Sequence, residues 1–206
     1  MNVQARQLRR QFTLGRFDRG GRLFGGFWIN LSKPVRLQGI RIDGEEVAGL
    51  DYSALNPRLA YHIAEADPPP GDAYTLPGFE NSRDGVKKLF NTMLFKHPVT
   101  RFPKGARALF PRKVECSEVI EAILQRHPKL NGVLSDRETG HRLQFIESEI
   151  MMAVLRQCRE SNIVALPVFD CVITKTSAEE TVKEIMLQEF KAATRVDAEV
   201  KREGYL

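Results

Sequence analysis

Two aspartates in apolar surroundings, Asp51 and Asp170, are the residues of this chain best suited to chemistry. Asp51 follows the apolar segment 47–50, and Asp170 interrupts the longer apolar segment 163–175. A carboxylate in such a segment is costly to bury unless it is paired or binds a metal ion. We therefore predict that the two carboxylates meet at one metal site, although they are far apart in the chain.

Cations recur elsewhere in two groups. One row has a member at every fourth position, so its side chains would project from adjacent turns of a helix: Arg83, Lys87, Asn91 and Phe95. A second group, Arg101, Lys104 and Arg107, is interleaved with Phe102 and Phe110 in a predicted loop. That mixture suits phosphate contacts and base stacking. A solvated surface would also produce both patterns.

The composition limits the classes of protein that fit. The chain has 206 residues, 42% of them hydrophobic, and 31 Lys and Arg against 26 Asp and Glu. This length can bury a sizeable core, and the excess of positive charge favours a polyanionic partner. The three cysteines have neither disulfide nor zinc-ligand spacing, and no segment is long and apolar enough to span a bilayer. We expect a cytoplasmic, nucleoid-associated protein with no membrane partner.

The hydrophobic pattern predicts the elements that position these residues. Extended segments at 37–42 and 47–50 flank the turn signal Asp-Gly at 43–44, and a helix begins near Pro57. Segment 163–175 predicts a hairpin with Asp170 at or beside its turn. Further elements are predicted as follows: helices at 82–96, 117–127 and 142–159, a helix capped by Ser177 with Glu180 in a capping box, and a strand within 196–203.

This order of antiparallel strands and helices predicts an α+β fold rather than a doubly wound sheet. Residues 1–19 are basic and predict a solvated N-terminal arm, and the glycines of 20–26 predict a loop. Prolines and glycines after residue 67 mark the entry to an inserted lobe. We predict one discontinuous domain at 20–67 and 140–206 and an insertion at 68–139.

Five motifs occur in the order found in the polymerase domain of family A DNA polymerases, which the chain resembles. The Gly-Arg-Leu sequence at 21–23 is similar to an early motif of that family, and Asp-Tyr-Ser at 51–53 looks like motif A. The row from Arg83 to Phe95 resembles motif B. Gln144, with an acid five residues later, is similar to the helix before motif C, and Phe-Asp-Cys at 169–171 lies where the family has His-Asp-Glu.

The resemblance implies a minimal polymerase that lacks a thumb and a proofreading exonuclease. Its palm, an antiparallel sheet with packed helices, would be 20–67 and 140–206, and 68–139 would form shortened helical fingers. Asp51, Asp170 and the backbone carbonyl of Tyr52 would hold two Mg²⁺ ions, or Mn²⁺, for attack of a 3′-hydroxyl on an α-phosphate.

The resemblance also implies binding residues and partners. Nucleotide contacts would come from the following residues: Arg83, Lys87, Asn91, Phe95 and Asn56. Nucleic acid would contact these residues: Arg22, Arg58, Gln144, Arg101, Lys104 and Arg107. The partners implied are primer–template DNA, deoxynucleoside triphosphates, and a protein that supplies a thumb or processivity.

Departures from the family pattern affect sugar selection and the primer end. Asn56 replaces the glutamate that limits access of a ribose 2′-hydroxyl, and Asn91 replaces the aromatic residue that stacks on the nucleotide, although Phe95 keeps an aromatic one turn on. We therefore predict weakened discrimination against ribonucleotides. Phe169 and Cys171 replace the histidine and glutamate of motif C, which affects positioning of the primer end but leaves both aspartates.

Four functional hypotheses follow. The first is a template-dependent DNA polymerase of phage or mobile-element origin, acting in replication or repair. The second is a non-catalytic nucleic-acid-binding subunit that keeps the palm shape. The third is a primase-like or RNA-polymerase-like enzyme, which Asn56 would permit. The fourth is a basic α+β domain of unrelated function.

Overall fold

The computed structural model describes residues 4–204. Residues 1–3 of the predicted arm and 205–206 of the predicted palm lie outside the described residues. The strands are β1 (Arg9–Phe12), β2 (Gly20–Phe24), β3 (Arg41–Ile42), β4 (Glu45–Tyr52), β5 (Leu166–Val168), β6 (Cys171–Lys175) and β7 (Val200–Arg202). The helices are α1 (Lys33–Gly39), α2 (Leu55–Ile63), α3 (Arg83–Phe95), α4 (Cys116–Arg126), α5 (Asn131–Ser135), α6 (Thr139–Glu160) and α7 (Glu179–Thr194). The predicted α+β fold is confirmed. Within 4–204, no helix combines the length and apolar character needed to cross a membrane.

The chain divides into two compact units. Unit 1 comprises Met1–Leu55 and Gln144–Leu206, and unit 2 comprises Asn56–Leu143. Unit 1 is thus discontinuous in sequence, and unit 2 is a single insertion. The sequence predicted an insertion with narrower limits, 68–139, and the assignment of palm and fingers stays a prediction.

The main sheet of unit 1 has the strand order β3-β4-β6-β5, and β7 also pairs with β4. All of these pairings are antiparallel. Successive side chains of β4 alternate between the two faces of the sheet. Tyr52 lies on the face covered by α7, where its hydroxyl donates to the Met186 carbonyl at 2.7 Å and its ring lies 5.3 Å from that of Phe190. The opposite face therefore carries Asp51.

That opposite face is covered by a cluster around Trp28. The buried members are Trp28, Ile40, Ile42, Val47, Val168, Cys171 and Ile173. The indole Nε1–H of Trp28 donates to the carbonyl of Pro167 in β5 at 2.9 Å. This bond and the surrounding apolar contacts fix the β5–β6 hairpin against the rest of unit 1.

Strands β1 and β2 form a separate two-stranded sheet. The predicted loop at 20–26 was wrong for Gly20–Phe24, which pair with Arg9–Phe12, four residues of the predicted arm. Gly21 has a φ of +83°, and a Cβ there would lie 2.7 Å from Ser148 Oγ on α6. The glycine is needed because β2 approaches α6 closely. The sequence alone could not distinguish glycines in such a strand from glycines in a loop.

Two local predictions nearby were also wrong. Residues 37–39 were predicted as extended but belong to α1. Pro34 lies in the first turn of α1, where proline favours the start of a helix. The predicted capping box of the last helix is absent, because a 3₁₀ turn, Thr176–Ala178, precedes it and Ala178 is the N-cap. Glu179 and Glu180 instead lie in the first turn, where the helix dipole favours acids.

Unit 2 is organised around a buried histidine, His127. The hydroxyl of Tyr61 donates to its Nδ1 at 2.9 Å, and its Nε2 lies 2.9 Å from the carbonyl of Ala73. A carbonyl can only accept, so Nε2 carries a proton, and in the neutral ring Nδ1 is the acceptor for Tyr61. Burial lowers the pKa of His127, which keeps it neutral. The ring of Phe90 on α3 packs edge-on at 5.5 Å.

Candidate active site

The structure brings Asp51 and Asp170 to neighbouring strands of unit 1. Asp51 is the penultimate residue of β4, and its Cα partner is Cys171, the first residue of β6. Asp170 directly precedes Cys171. Because Val168 pairs with Cys171, Phe169 and Asp170 form a two-residue hairpin turn. The predicted hairpin with Asp170 in its turn is confirmed, and the metal-binding role of both half-buried aspartates stays a prediction.

The thiol of Cys171 lies among carboxylates and stays protonated. Its Sγ donates to Glu203 Oε2 at 3.5 Å. Burial, followed by the charges of Glu203, Asp51 and Asp170, raises the pKa of Cys171 well above its usual range. A neutral thiol is a poor ligand, so the donor atoms offered here are carboxylate oxygens.

These donors suit Mg²⁺ more than a structural metal. Within residues 4–204, no group of three or more His, Cys, Asp or Glu side chains is arranged to hold a metal ion. Mg²⁺ prefers oxygen ligands and keeps waters and substrate phosphates in its shell, so one or two carboxylates suffice. Asp51 and Asp170 fit that requirement. The Tyr52 side chain is directed to α7, so only its backbone could contribute.

Arg22, predicted to contact nucleic acid, is held by a carboxylate that the sequence did not identify. Its Nε and Nη2 donate to Glu147 Oε1 and Oε2 at 2.7 and 2.5 Å. The Glu147 side chain is 3% exposed. Burial raises the pKa of Glu147 to about 7. Arg22 lowers this pKa, but by less than burial raises it, and the negative charge of Asp170 raises it further.

The guanidinium of Arg22 also lies over an aromatic ring of the candidate site. Its Cζ is 5.1 Å from the centroid of Phe169, the first residue of the Asp170 turn. Phe24 meets the same ring edge-on at 5.7 Å. Phe169 has a φ of +57°, which is strained for a bulky residue. Side-chain contacts therefore support the turn.

The predicted nucleotide row lies on α3, from its first residue, Arg83, to its last, Phe95. Arg83 forms a two-pronged pair with Asp72, with Nη2 to Oδ1 at 3.2 Å, and this hydrogen bonding raises the pKa of Arg83. Arg83 Cζ and Lys87 Nζ lie 5.4 and 6.0 Å from the ring centroid of Tyr74. The two cations thus share one aromatic platform.

Two residues predicted to contact the nucleotide, Asn56 and Asn91, contact each other within unit 2. Asn56 Nδ2 donates to Asn91 Oδ1 at 3.0 Å. Farther along α3, the half-exposed ring of Phe95 lies against Gly140, where any side chain would clash. The residues of the predicted sugar site are therefore coupled.

The other predicted nucleic-acid contacts are dispersed. Arg107 is bound within its own loop by the carbonyls of Pro111, at 3.0 Å, and Arg112. Phe102 and Phe110 stack on each other at 4.9 Å, so one face of each ring is already covered. The remaining residues lie as follows: Arg101 and Lys104 exposed in the loop, Arg58 half-buried on α2, and Gln144 half-buried on α6.

Two carboxylates that pair with predicted site residues were missed, Glu147 with Arg22 and Asp72 with Arg83, and a third, Glu203, contacts Cys171 beside Asp170. Glu147 had a detectable signal, because it follows Leu143 by four residues and precedes Ile150 by three, on the buried stripe of α6. An acid on such a stripe needs a partner. Asp72 lies in a Pro- and Gly-rich segment without periodicity, so its pairing had no comparable signal.

Comparison with known proteins identifies the fold. No family model matches the chain, and no curated protein matches it. Among solved structures, the chain is similar to the POL domain of Pol1 from M. smegmatis, in complex with DNA primer-template and dNTP, at 13% identity and a TM-score of 0.55. The similarity covers 95% of this chain and 46% of that one. The chain therefore has a DNA-polymerase-like fold and spans about half of the polymerase chain.

Proposed function

We propose that the chain carries out template-dependent nucleotidyl transfer as a minimal polymerase of the family A type. The placement of Asp51 beside Cys171, the residue after Asp170, is the observation that carries this proposal. The polymerase-like fold is consistent with it. In this proposal unit 1 acts as the palm and unit 2 as shortened fingers.

In this proposal the acidic residues would bind metal ions and the basic residues would bind phosphate. Asp51 and Asp170 would hold two Mg²⁺ ions, which in such sites activate the attacking hydroxyl and stabilise the leaving pyrophosphate. Arg83 and Lys87 would neutralise the triphosphate, and the Asn56–Asn91 pair would contact the sugar. The partners would be primer–template DNA and deoxynucleoside triphosphates, with a thumb supplied in trans and the protein located on cytoplasmic DNA.

A primed-template extension assay tests the proposal. Wild-type protein should extend a primer in Mg²⁺ or Mn²⁺, and Asp51→Asn and Asp170→Asn should each lose detectable extension. Glu46→Gln is the matched control, because Glu46 lies on the same strand with a side chain 72% exposed and should leave extension unchanged. Extension by either aspartate variant at the wild-type rate would contradict the assignment.

Sugar selection can be tested at the coupled asparagines. With Asn56 in place, we expect the ratio of kcat/KM for deoxyribonucleotides to that for ribonucleotides to be small. Asn56→Glu should raise the ratio about tenfold or more, the range of a single added steric or polar contact. Competing incorporation of matched nucleotide pairs measures the ratio. A high ratio in the wild type would contradict a relaxed sugar site.

A non-catalytic nucleic-acid-binding role is the second candidate. It is supported by the pairing of Arg22 with Glu147 and of Arg83 with Asp72, since both arginines were expected to contact substrate. This role predicts DNA binding that weakens with salt but does not depend on Mg²⁺ or on either aspartate. Filter binding in magnesium and in EDTA distinguishes the two candidates.

A further inference from the structure

The ion pair between Arg22 and Glu147 joins two distant parts of unit 1. Arg22 lies on β2 and Glu147 on α6, and two hydrogen bonds of 2.7 and 2.5 Å connect them. The side chains are 25% and 3% exposed. A buried carboxylate keeps its partner in place, because any departure would leave an uncompensated buried group. Glu147 therefore fixes the orientation of the guanidinium.

The fixed guanidinium contacts the turn that carries Asp170. Its Cζ lies 5.1 Å from the ring centroid of Phe169, within the range of a cation–π interaction. The edge of Phe24, two residues along β2, meets the same ring at 5.7 Å. The Arg22 and Phe24 side chains of β2 thus both contact the Phe169 ring of the turn.

The turn needs such support because its backbone is strained. Phe169 has a φ of +57°, a region that bulky L residues rarely adopt, and it precedes Asp170 directly. Strained residues persist only where surrounding contacts determine them. Loss of the contacts to the Phe169 ring would let the turn relax and move the Asp170 carboxylate.

We infer that Glu147 is a positioning residue: through Arg22 and the ring of Phe169 it holds Asp170 at the distance from Asp51 needed to bind a divalent cation. Arg22 in this role acts on the protein's own turn and not on the nucleic acid predicted for it from the sequence. The cation-binding part of the inference rests on the proposed function, and the control of the hairpin by Glu147 does not.

Divalent-cation binding without DNA and the emission of Trp28 test the inference together. Mn²⁺ binding is measured by calorimetry on the full chain, so a lost DNA contact cannot affect the result. Trp28 is the only tryptophan of the sequence, and its indole donates to Pro167 of the hairpin at 2.9 Å. Its emission therefore reports displacement of the same hairpin.

The test variants are Glu147→Gln and Phe169→Leu. Each should weaken Mn²⁺ binding about tenfold, which is typical when a residue that orients the metal ligands is changed. Glu147→Gln should also shift Trp28 emission to the red; Phe169→Leu is read by Mn²⁺ binding alone, because Phe169 itself packs against the Trp28 cluster. Arg22→Lys keeps a cation beside Glu147 but loses the planar contact with Phe169, so it should show the same changes without leaving an unpaired buried charge.

Glu149→Gln is the matched control. Glu149 lies on the same helix and pairs with Arg10 of the same two-stranded sheet at 2.6 Å, and its side chain is 48% exposed. It should leave Mn²⁺ affinity and emission unchanged. Wild-type Mn²⁺ affinity and emission in Glu147→Gln and Arg22→Lys would overturn the inference. If the wild type binds no Mn²⁺, the proposed metal site fails, and the emission of the variants alone decides whether Glu147 positions the hairpin.

Discussion

Unit 1 and unit 2 bury polar groups of different kinds. In unit 1 the buried pair joins an arginine to a carboxyl group, with the Glu147 side chain 3% exposed against Arg22. In unit 2 the buried chain is neutral and runs from Tyr61 through His127 to the carbonyl of Ala73. The arginine of unit 2 predicted to bind nucleotide, Arg83, is 47% exposed. The buried Arg22–Glu147 pair of unit 1 thus lies next to the candidate active site, whereas Arg83, the candidate nucleotide-binding arginine of unit 2, lies outside the core.

This difference predicts opposite responses to pH. Burial raises the pKa of Glu147 from 4.5 to about 7, so its contribution to stability is present in full below pH 4.5 and is lost as pH rises to about 7. Burial lowers the pKa of His127 from 6.5. The contribution of neutral His127 is present above pH 6.5 and is lost as pH falls below that value.

The largest expected effect compares one ion pair from each unit. Arg22→Ala leaves Glu147 buried without a partner and should lower the free energy of unfolding by about 3 to 5 kcal/mol. Arg83→Ala removes a surface pair and should cost about 1 kcal/mol or less. Urea denaturation of both variants at pH 8, above the pKa of Glu147, measures the difference. Equal costs would show that the two pairs are energetically alike and would remove the contrast between the units.

A smaller effect is expected from the titration of Glu147. Between pH 4.5 and 7 the wild type should lose up to about 3 kcal/mol of unfolding free energy relative to Glu147→Gln, since each unit of pKa shift corresponds to about 1.4 kcal/mol. Urea denaturation at pH 4.5, 5.5 and 7 supplies the two curves. Parallel curves would mean that Glu147 ionises in the folded chain as it does in the unfolded chain.

The smallest effect concerns the neutral chain of unit 2. Tyr61→Phe removes the hydroxyl that donates to His127 Nδ1 and should cost about 1 kcal/mol at pH 8. Between pH 6.5 and 5 the wild type should lose stability, and His127→Gln should not show that loss. The same denaturation series decides this point. A matching acid loss in His127→Gln would assign the titration to another group.

Local sequence patterns were sufficient for much of the fold. The period of apolar residues placed α3 and α6 within a few residues, and the Asp-Gly signal placed the β3–β4 turn, where Asp43 and Gly44 have φ values of +53° and +82°. The interrupted apolar segment placed Asp170 in a hairpin turn. These features depend on neighbours in the chain, so the sequence carries their signal directly.

Features that depend on distant residues could not be predicted in the same way. The partner of Arg22 is Glu147, 125 residues away, and no local pattern joins them. The glycine at position 21 is explained by its approach to Ser148, which only the packed structure reveals. The contact of Asn56 with Asn91 likewise links two helices. The sequence therefore indicated the candidate site residues but not the contacts that hold them.

The most direct test of the central claim is a crystal structure of the chain soaked in Mn²⁺, with the ion located by anomalous scattering. We predict that one ion is ligated by carboxylate oxygens of both Asp51 and Asp170, at about 2.0 to 2.2 Å, the distances typical of small hard divalent cations. An ion bound elsewhere, or Asp51 and Asp170 carboxylates too far apart to share one, would contradict the proposed polymerase site.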